Sequence, residues 1–335
     1  MRSLRVLRAT EAWPVDPRVA ARPAAETPEE VIAAVADLVA RGALALPLPG
    51  SGDTATRLRA LSEIAAVDLA MARIAEGHTD AVAILAEAGR APGDGLYGVW
   101  AADARDARVT ATREAGGWRL RGTKRYCSGA RGLDRALITA HADDGGRLFE
   151  VEVGAPGVRA IPGSWQAVGM ATTDSLDVEL DVRAEPVGAP GFYLQRPGFW
   201  HGAVGVAACW LGGALGAFRM LRAQLAKVAP DDHQAAHLGA IAATCQAMQA
   251  AVDAAAREID AGAGDGRVRA LYVRQIVEQG CQEVLTRVGR AGGTWPLAFD
   301  RAHARRAADL IVYLRQHHAE RDLAALGRAV LEAAC

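Results

Sequence analysis

Apolar and polar positions along the chain fall into three textures. The first is helical. Thr27-Pro28-Glu29-Glu30 sets a capping residue, a proline at the first helical position and a glutamate three residues on, and Gly42 follows about where the helix should stop. Pro47 to Gly52 reads as a loop, and helical stretches are predicted at about Thr54–Glu76 and His78–Gly89. After Pro92 the texture changes to short alternating runs, Val109–Glu114, Trp118–Arg121, Ala136–Ala140, Arg147–Val153 and Leu176–Leu180. Gly116-Gly117, Gly145-Gly146 and Pro156-Gly157 separate them, as turns separate half-buried strands. Helix returns near Gly198. Leu238, Ile241, Cys245, Met248, Val252, Ala255 and Ile259 fall at alternating spacings of 3 and 4, the stripe of a core-facing helix. Beyond Gly262–Gly266, a second stripe carries Val273, Val277, Gly280, Val284 and Val288, and the last helices are predicted at about Ala302–Gln316 and Ala319–Ala333. Long helices with short breaks imply an antiparallel bundle. The expected organisation is an N-terminal helical domain (1–92), a small β domain (93–190) and a C-terminal helical bundle (191–335), in class α+β and mainly α.

Composition narrows the functional classes. A net charge of −1 over 335 residues gives no global field toward nucleic acid or an anionic membrane. Of the 38 basic residues only Lys124 and Lys227 are lysine, which with the abundant alanine reads as codon bias. Five scattered cysteines, without a C-x-x-C, argue against a disulfide framework and a structural zinc site. His233 and His237 stand four apart without a glutamate between them, and read as solvated rather than as metal ligands. Gly212-Gly213-Ala214-Leu215-Gly216 lies in a helical stretch with no Lys-Ser/Thr beside it, so close helix packing explains it better than a phosphate loop. No run approaches the roughly 20 apolar residues of a membrane span. Met1 to Pro14 lacks the apolar run of a secretory signal, although its Arg/Ala-rich composition also imitates a transit peptide; the expected compartment is the cytoplasm.

Helices, then a β domain, then a helical bundle is an uncommon order. With it come Gly116-Gly117-Trp118-Arg119-Leu120-Arg121-Gly122-Thr123-Lys124-Arg125-Tyr126-Cys127-Ser128-Gly129-Ala130, Gly169-Met170-Ala171-Thr172-Thr173-Asp174-Ser175 and Gly292-Gly293-Thr294-Trp295-Pro296. Over nearly the whole chain this pattern resembles the acyl-CoA dehydrogenase family. The resemblance implies an acyl-CoA dehydrogenase-like fold with FAD as cofactor and an acyl thioester or similar small molecule as substrate. It also implies a homodimer or homotetramer, with an electron-transfer flavoprotein as a possible electron acceptor. Tyr126, Cys127 and Ser128 then fall at the flavin-contacting strand, Trp100, Ala101 and Ala102 beside it, and Gly292 and Gly293 at the segment that approaches the flavin of a neighbouring subunit. An isoalloxazine ring calls for such a set: an aromatic wall plus backbone and hydroxyl groups that tune its electronics.

Three departures from the family change the expected chemistry. The Thr/Ser-Glu-Pro hydroxyls upstream are absent. Pro230-Asp231-Asp232-His233 stands near the place of the Arg-x-x-Phe-Gly segment that serves the FAD diphosphate. Where the family's glutamate base should follow Ala308-Asp309, the count reaches His317, followed by His318 and Glu320. His317 is therefore the candidate base, with Glu320 as a displaced alternative, His318 beside the cofactor and His78 lining the substrate cavity. A related branch, typified by dibenzothiophene monooxygenase, also carries a histidine in its last helices and uses reduced flavin and oxygen. The segment Asp309 to Gly327 resembles that branch as much as the dehydrogenases. The chain thus reads as an acyl-CoA dehydrogenase-like oxidoreductase, with a flavin monooxygenase or a degenerate, non-catalytic acyl-binding homologue as alternatives.

Overall fold

The computed structural model describes residues 24–333. Its helices are α1 (Pro28–Ala40), α2 (Thr54–Val67), α3 (Leu69–Glu87), α4 (Phe192–Gln195), α5 (Gly198–Leu225), α6 (Asp232–Asp260), α7 (Gly266–Gly292), α8 (Trp295–Ala298), α9 (Arg301–Tyr313) and α10 (Glu320–Ala333). Between α3 and α4 lie seven strands: β1 (Tyr97–Trp100), β2 (Val109–Glu114), β3 (Gly117–Cys127), β4 (Arg135–Ala142), β5 (Gly145–Glu152), β6 (Val158–Ile161) and β7 (Leu176–Val187). Met1 to Pro14 and Cys335 lie outside the described residues.

Local signals account for most of these boundaries. The Thr27 hydroxyl accepts the Glu30 N–H, while the Glu30 carboxylate takes the N–H of Glu26. One N-terminal donor of α1 is satisfied by the cap, and the N–H just before the cap by the returning carboxylate. Gly42 carries the left-handed backbone (φ +70°) that ends the helix. One predicted boundary moves. The break between α2 and α3 lies at Asp68, whose carboxylate accepts the Ala70 and Met71 N–H groups. Gly77 is helix interior, because an Asp cap outweighs a single glycine at a helix start. His78 therefore sits mid-helix, not at a helix beginning. In the β region the β4–β5 turn is Asp143-Asp144, and Gly145-Gly146 already belongs to the strand.

The strands pair in the order β4-β2-β3-β7-β5, and β5 pairs again with β4; β1 runs parallel to β4 and β6 adds to β7. β3 departs from its β7 register between Lys124 and Cys127. At this bulge Tyr126 takes a left-handed backbone (φ +60°).

The helices α5, α6 and α7 are joined by short turns and bury the stripes read from the sequence, Ile241 to Ile259 on α6 and Val273 to Val288 on α7. The glycines of α5 do what close packing requires. A side chain at Gly212 would collide with the Ser62 carbonyl of α2, and one at Gly216 would lie 2.6 Å from the Ala66 carbonyl oxygen. α5 is also long and apolar enough to cross a membrane by length and composition, which the reading of the sequence missed, yet most of that apolar window is buried inside the protein.

Candidate active site

Hydrogen bonds join the sheet to the helices around one junction. His78, on α3 and 7% exposed, accepts the Tyr97 N–H of β1 on its Nδ1 at 3.2 Å. Three residues along β1, Trp100 is fully buried and its Nε1 donates to the Ser128 carbonyl at 3.0 Å. The Ser128 hydroxyl meets the Ser175 hydroxyl at 2.8 Å, and Ser175 meets the Thr173 hydroxyl at 2.7 Å. Thr173 in turn donates to the Met170 carbonyl, and the Met170 N–H donates to the buried Asp309 carboxylate on α9. His317 follows the 3-10 turn, Leu314–Gln316, that continues α9. These hydrogen bonds link β1, which His78 also contacts, through Ser128, Ser175, Thr173 and Met170 to Asp309 on α9.

His317 is 5% exposed. Its Nδ1 accepts the Ala319 N–H at 3.1 Å. Its Nε2 has no hydrogen-bond partner among the described residues, and the Asp322 carboxylate, at 4.0 Å, lies beyond reach. Burial lowers its pKa first and Arg274 second, against the opposing pull of Asp322 and Glu278. His78 is lowered in the same way, by burial and then by Arg57. Both imidazoles are therefore neutral, and the main-chain N–H on each Nδ1 assigns the remaining proton to Nε2. With Nδ1 already accepting and Nε2 protonated, the ring presents a hydrogen-bond donor.

The remaining candidates divide. Tyr126 is 54% exposed on its bulge. Ser128 is buried, its hydroxyl held by Ser175. Trp100 and Cys127 lie in the core; the indole supports the backbone at Ser128, and the Cys127 thiol donates to the Lys124 carbonyl. Ala101 is half-buried, its carbonyl accepting from the Thr139 hydroxyl, and Ala102 is exposed. Gly292 closes α7 against Pro296, and Gly293, with φ +59°, turns the chain out of the helix. Glu320 is exposed in the first turn of α10, and the His318 side chain is largely exposed, 3.4 Å from Asp322. The left-handed backbone at Ala319 (φ +45°) lies between Glu320 and the His317-His318 pair. Glu320 thus lies outside the buried environment of His317.

Sequence reading missed two groups at this junction. Arg274 of α7 lies 4.6 Å over the Trp210 ring, and Tyr313 of α9 meets the same indole edge-on at 6.3 Å. Neither belongs to a motif; their apolar surroundings concealed them. The four described cysteines, Cys127, Cys209, Cys245 and Cys281, are buried free thiols. His237 faces the Arg287 guanidinium at 3.4 Å, a cationic neighbour unlike that of a metal ligand.

The fold is acyl-CoA dehydrogenase-like, and solved structures share it. The FMN-bound TdsC of Paenibacillus sp. A11-2 superposes with a TM-score of 0.75 over 95% of this chain and 94% of its own, at 19% identity. The methanesulfinate monooxygenase MsuC of Pseudomonas fluorescens superposes with a TM-score of 0.76 over 97% and 94%, at 20% identity. In sequence, the chain is 32% identical over 192 residues to a dibenzothiophene monooxygenase of Rhodococcus qingshengii, covering 47% of this chain and 45% of that protein. The matched stretch thus spans less than half the length of this relative. No family model matches the chain.

Proposed function

We propose that this chain is a flavin-dependent monooxygenase of the acyl-CoA dehydrogenase fold, using reduced flavin and molecular oxygen. One observation carries the choice over dehydrogenation. The residue at the position of the glutamate base is a buried histidine whose Nδ1 accepts a main-chain N–H, so that in the neutral ring the proton sits on Nε2. Removing an α-proton from a thioester requires a vacant lone pair, and His317 has none to offer. A preorganised N–H donor in a dry site instead stabilises negative charge developing on oxygen. The match to dibenzothiophene monooxygenase supports the same reading.

The residues present fit a flavin ring. Tyr126, fixed by its bulge, offers an aromatic face, and the serine and threonine hydroxyls behind Ser128 fix the adjoining backbone. Bound reduced flavin supplies the electrons for oxygen activation. His317 holds a proton on Nε2 for an anionic oxygen, His78 presents a second Nε2–H from α3, and the burial of both excludes water. FMN suits the chain better than FAD. Where the family places an arginine for the diphosphate, Asp231 caps α6 through the Gln234 N–H, and Asp232 adds a second carboxylate. We further propose a homo-oligomer, because Tyr272, Ile276, Ile311, Leu323 and Leu331 leave an apolar surface on α7, α9 and α10.

The test compares two reactions of reconstituted protein. Reduced FMN from a separate reductase is mixed with oxygen, and flavin reoxidation and peroxide release are followed with and without the protein. Delayed release, abolished in His317→Ala, is the expected result. Anaerobic bleaching of bound oxidised flavin by acyl-CoA thioesters, with no effect of the protein on reoxidation, would restore the dehydrogenase reading.

A further inference from the structure

Two buried carboxylates share one half-buried guanidinium where α9 meets the sheet. Asp68 is accounted for by the fold. It caps α3 through Ala70 and Met71, and its second oxygen takes the Ala25 N–H at 3.1 Å and the Arg305 guanidinium at 2.9 Å. Asp309 has no such duty. It is 3% exposed inside α9, where it caps nothing; one oxygen accepts the Met170 N–H, and the other lies 3.4 Å from Arg305. Arg305 donates in turn to the Thr172 hydroxyl at 2.9 Å and to the Ala25 carbonyl. Asp309 and Arg305 thus both reach the loop between β6 and β7.

That loop is clamped on two sides. Toward α9, Gly169 lies so close that a side chain there would collide with the Ala308 carbonyl. Toward the sheet, the Thr173 carbonyl accepts the Gly129 N–H at 2.7 Å, and the Asp174 carbonyl accepts the Ala130 N–H at 3.2 Å. Arg131 holds the Asp174 carboxylate with two bonds of 2.8 Å, and the Ser175 hydroxyl meets that of Ser128. Between the clamps, Met170 and Asp174 keep left-handed backbones (φ +56° and +48°), which residues other than glycine adopt only where their surroundings impose them. The bond from the Met170 N–H to Asp309 lies at the first of these two residues. A buried carboxylate is costly to stability, and what this one secures is a single conformation of the loop.

We propose that Asp309 is a positioning residue for the bound flavin: by holding the Met170 N–H it seats the loop 169–175 on α9, and through that loop it sets the Tyr126–Ser128 bulge. The same helix continues through the 3-10 turn Leu314–Gln316 to His317, so α9 registers the bulge and the histidine against each other. This role rests on the flavin reading of the bulge and not on the fate of oxygen.

FMN titration of the flavin-free protein, with hydrogen exchange on the same samples, tests this. Asp309→Ala should weaken FMN binding about tenfold, as loss of one buried hydrogen bond implies, and speed exchange at Gly129 and Ala130 relative to the β2–β3 hairpin. Asp309→Asn keeps an oxygen for the Met170 N–H and should restore both. Gly212→Ala, at the contact of α5 with α2, should lower Tm and leave FMN affinity unchanged. Unchanged affinity in Asp309→Ala, no rescue by asparagine, or an equal loss of affinity in Gly212→Ala overturns the role. If Asp309→Ala does not fold, Gly169→Ala decides, because it drives a methyl into the Ala308 carbonyl from the loop side. Weaker FMN binding is expected there, and unchanged binding overturns the role. Wild-type protein that takes up no FMN removes the flavin reading and this role with it. FMN affinity that depends on Asp309, in a protein without effect on flavin reoxidation, would remove the oxygenase reading and leave the role standing.

Discussion

His78 and His317 carry one hydrogen-bond pattern on two unlike supports. Each accepts a main-chain N–H on Nδ1, each is buried, and burial lowers the pKa of each. For His78 the donor is Tyr97, on a strand 19 residues away, and the ring projects from the middle of a 19-residue helix. For His317 the donor is Ala319, two residues on, in a turn held by one left-handed residue. The first arrangement is set by the packing of α3 on the sheet. The second is set by local backbone at the start of α10, whose exposed Leu323, Val330 and Leu331 show how little of that helix is covered. Placement by tertiary contact makes a residue hard to remove without harm to the fold, while placement by a turn leaves it free to serve chemistry alone.

That contrast is broken most directly by two substitutions. His317→Ala should lower kcat by about 10²–10³-fold, the usual loss for one preorganised donor to a developing oxyanion. Its Tm should change little and bound flavin should persist in the visible spectrum. His78→Ala leaves the buried Tyr97 N–H unsatisfied and should cost about 1–3 kcal/mol of stability in a denaturant titration. Equal stability losses at the two positions would erase the distinction.

The helical layer around His78 can be probed without touching the site. Gly212→Ala drives a methyl into the Ser62 carbonyl of α2, a backbone atom that cannot step aside, and should destabilise by about 1–3 kcal/mol. Gly239→Ala, in α6 with open space around it, should instead stabilise by about 0.5–1 kcal/mol. Opposite shifts in Tm from the same chemical change would show that α2 and α5 are locked by contact rather than by helix propensity.

Acid tests both histidines together. Unfolded histidine takes its proton at about pH 6.5. The folded pKa values of His78 and His317 lie lower, so between the two values the unfolded state binds more protons. Stability should be level above about pH 6.5 and fall as pH drops below it. His201 and His303, also lowered by burial, add to the same slope. Measured by chemical denaturation at a series of pH values, the slope should shrink in both alanine variants.

Much of the frame was legible in the sequence because it rests on periodicity. The α6 stripe from Ile241 to Ile259 and the β2–β3 hairpin around Gly116 appear where spacing and turn chemistry put them. The α2–α3 boundary was not, since a cap at Asp68 and a glycine at Gly77 compete and only the side-chain hydrogen bonds decide. The position of His317 was legible, but its hydrogen-bond surroundings were not. Its lone pairs are assigned by the Ala319 N–H, a contact that depends on a backbone angle no residue type announces. Arg274 and Tyr313 were invisible for a related reason: packing on the Trp210 ring is a property of surroundings that spacing does not report.

The smallest expected effect is also the sharpest probe of the turn. Ala319 sits at φ +45°, where a side chain costs roughly 1 kcal/mol relative to glycine. Ala319→Gly removes that strain and widens the conformations open to the unfolded chain, two effects that oppose each other. The net change in stability should therefore lie within about 1 kcal/mol of zero. Turnover should respond more, because the Ala319 N–H fixes the His317 tautomer and glycine frees that N–H to wander. A few-fold lower kcat with unchanged Tm would place the function of the turn in orienting the imidazole. Unchanged kcat would mean that burial of the ring under α7 suffices, and that His317, like His78, is held by packing.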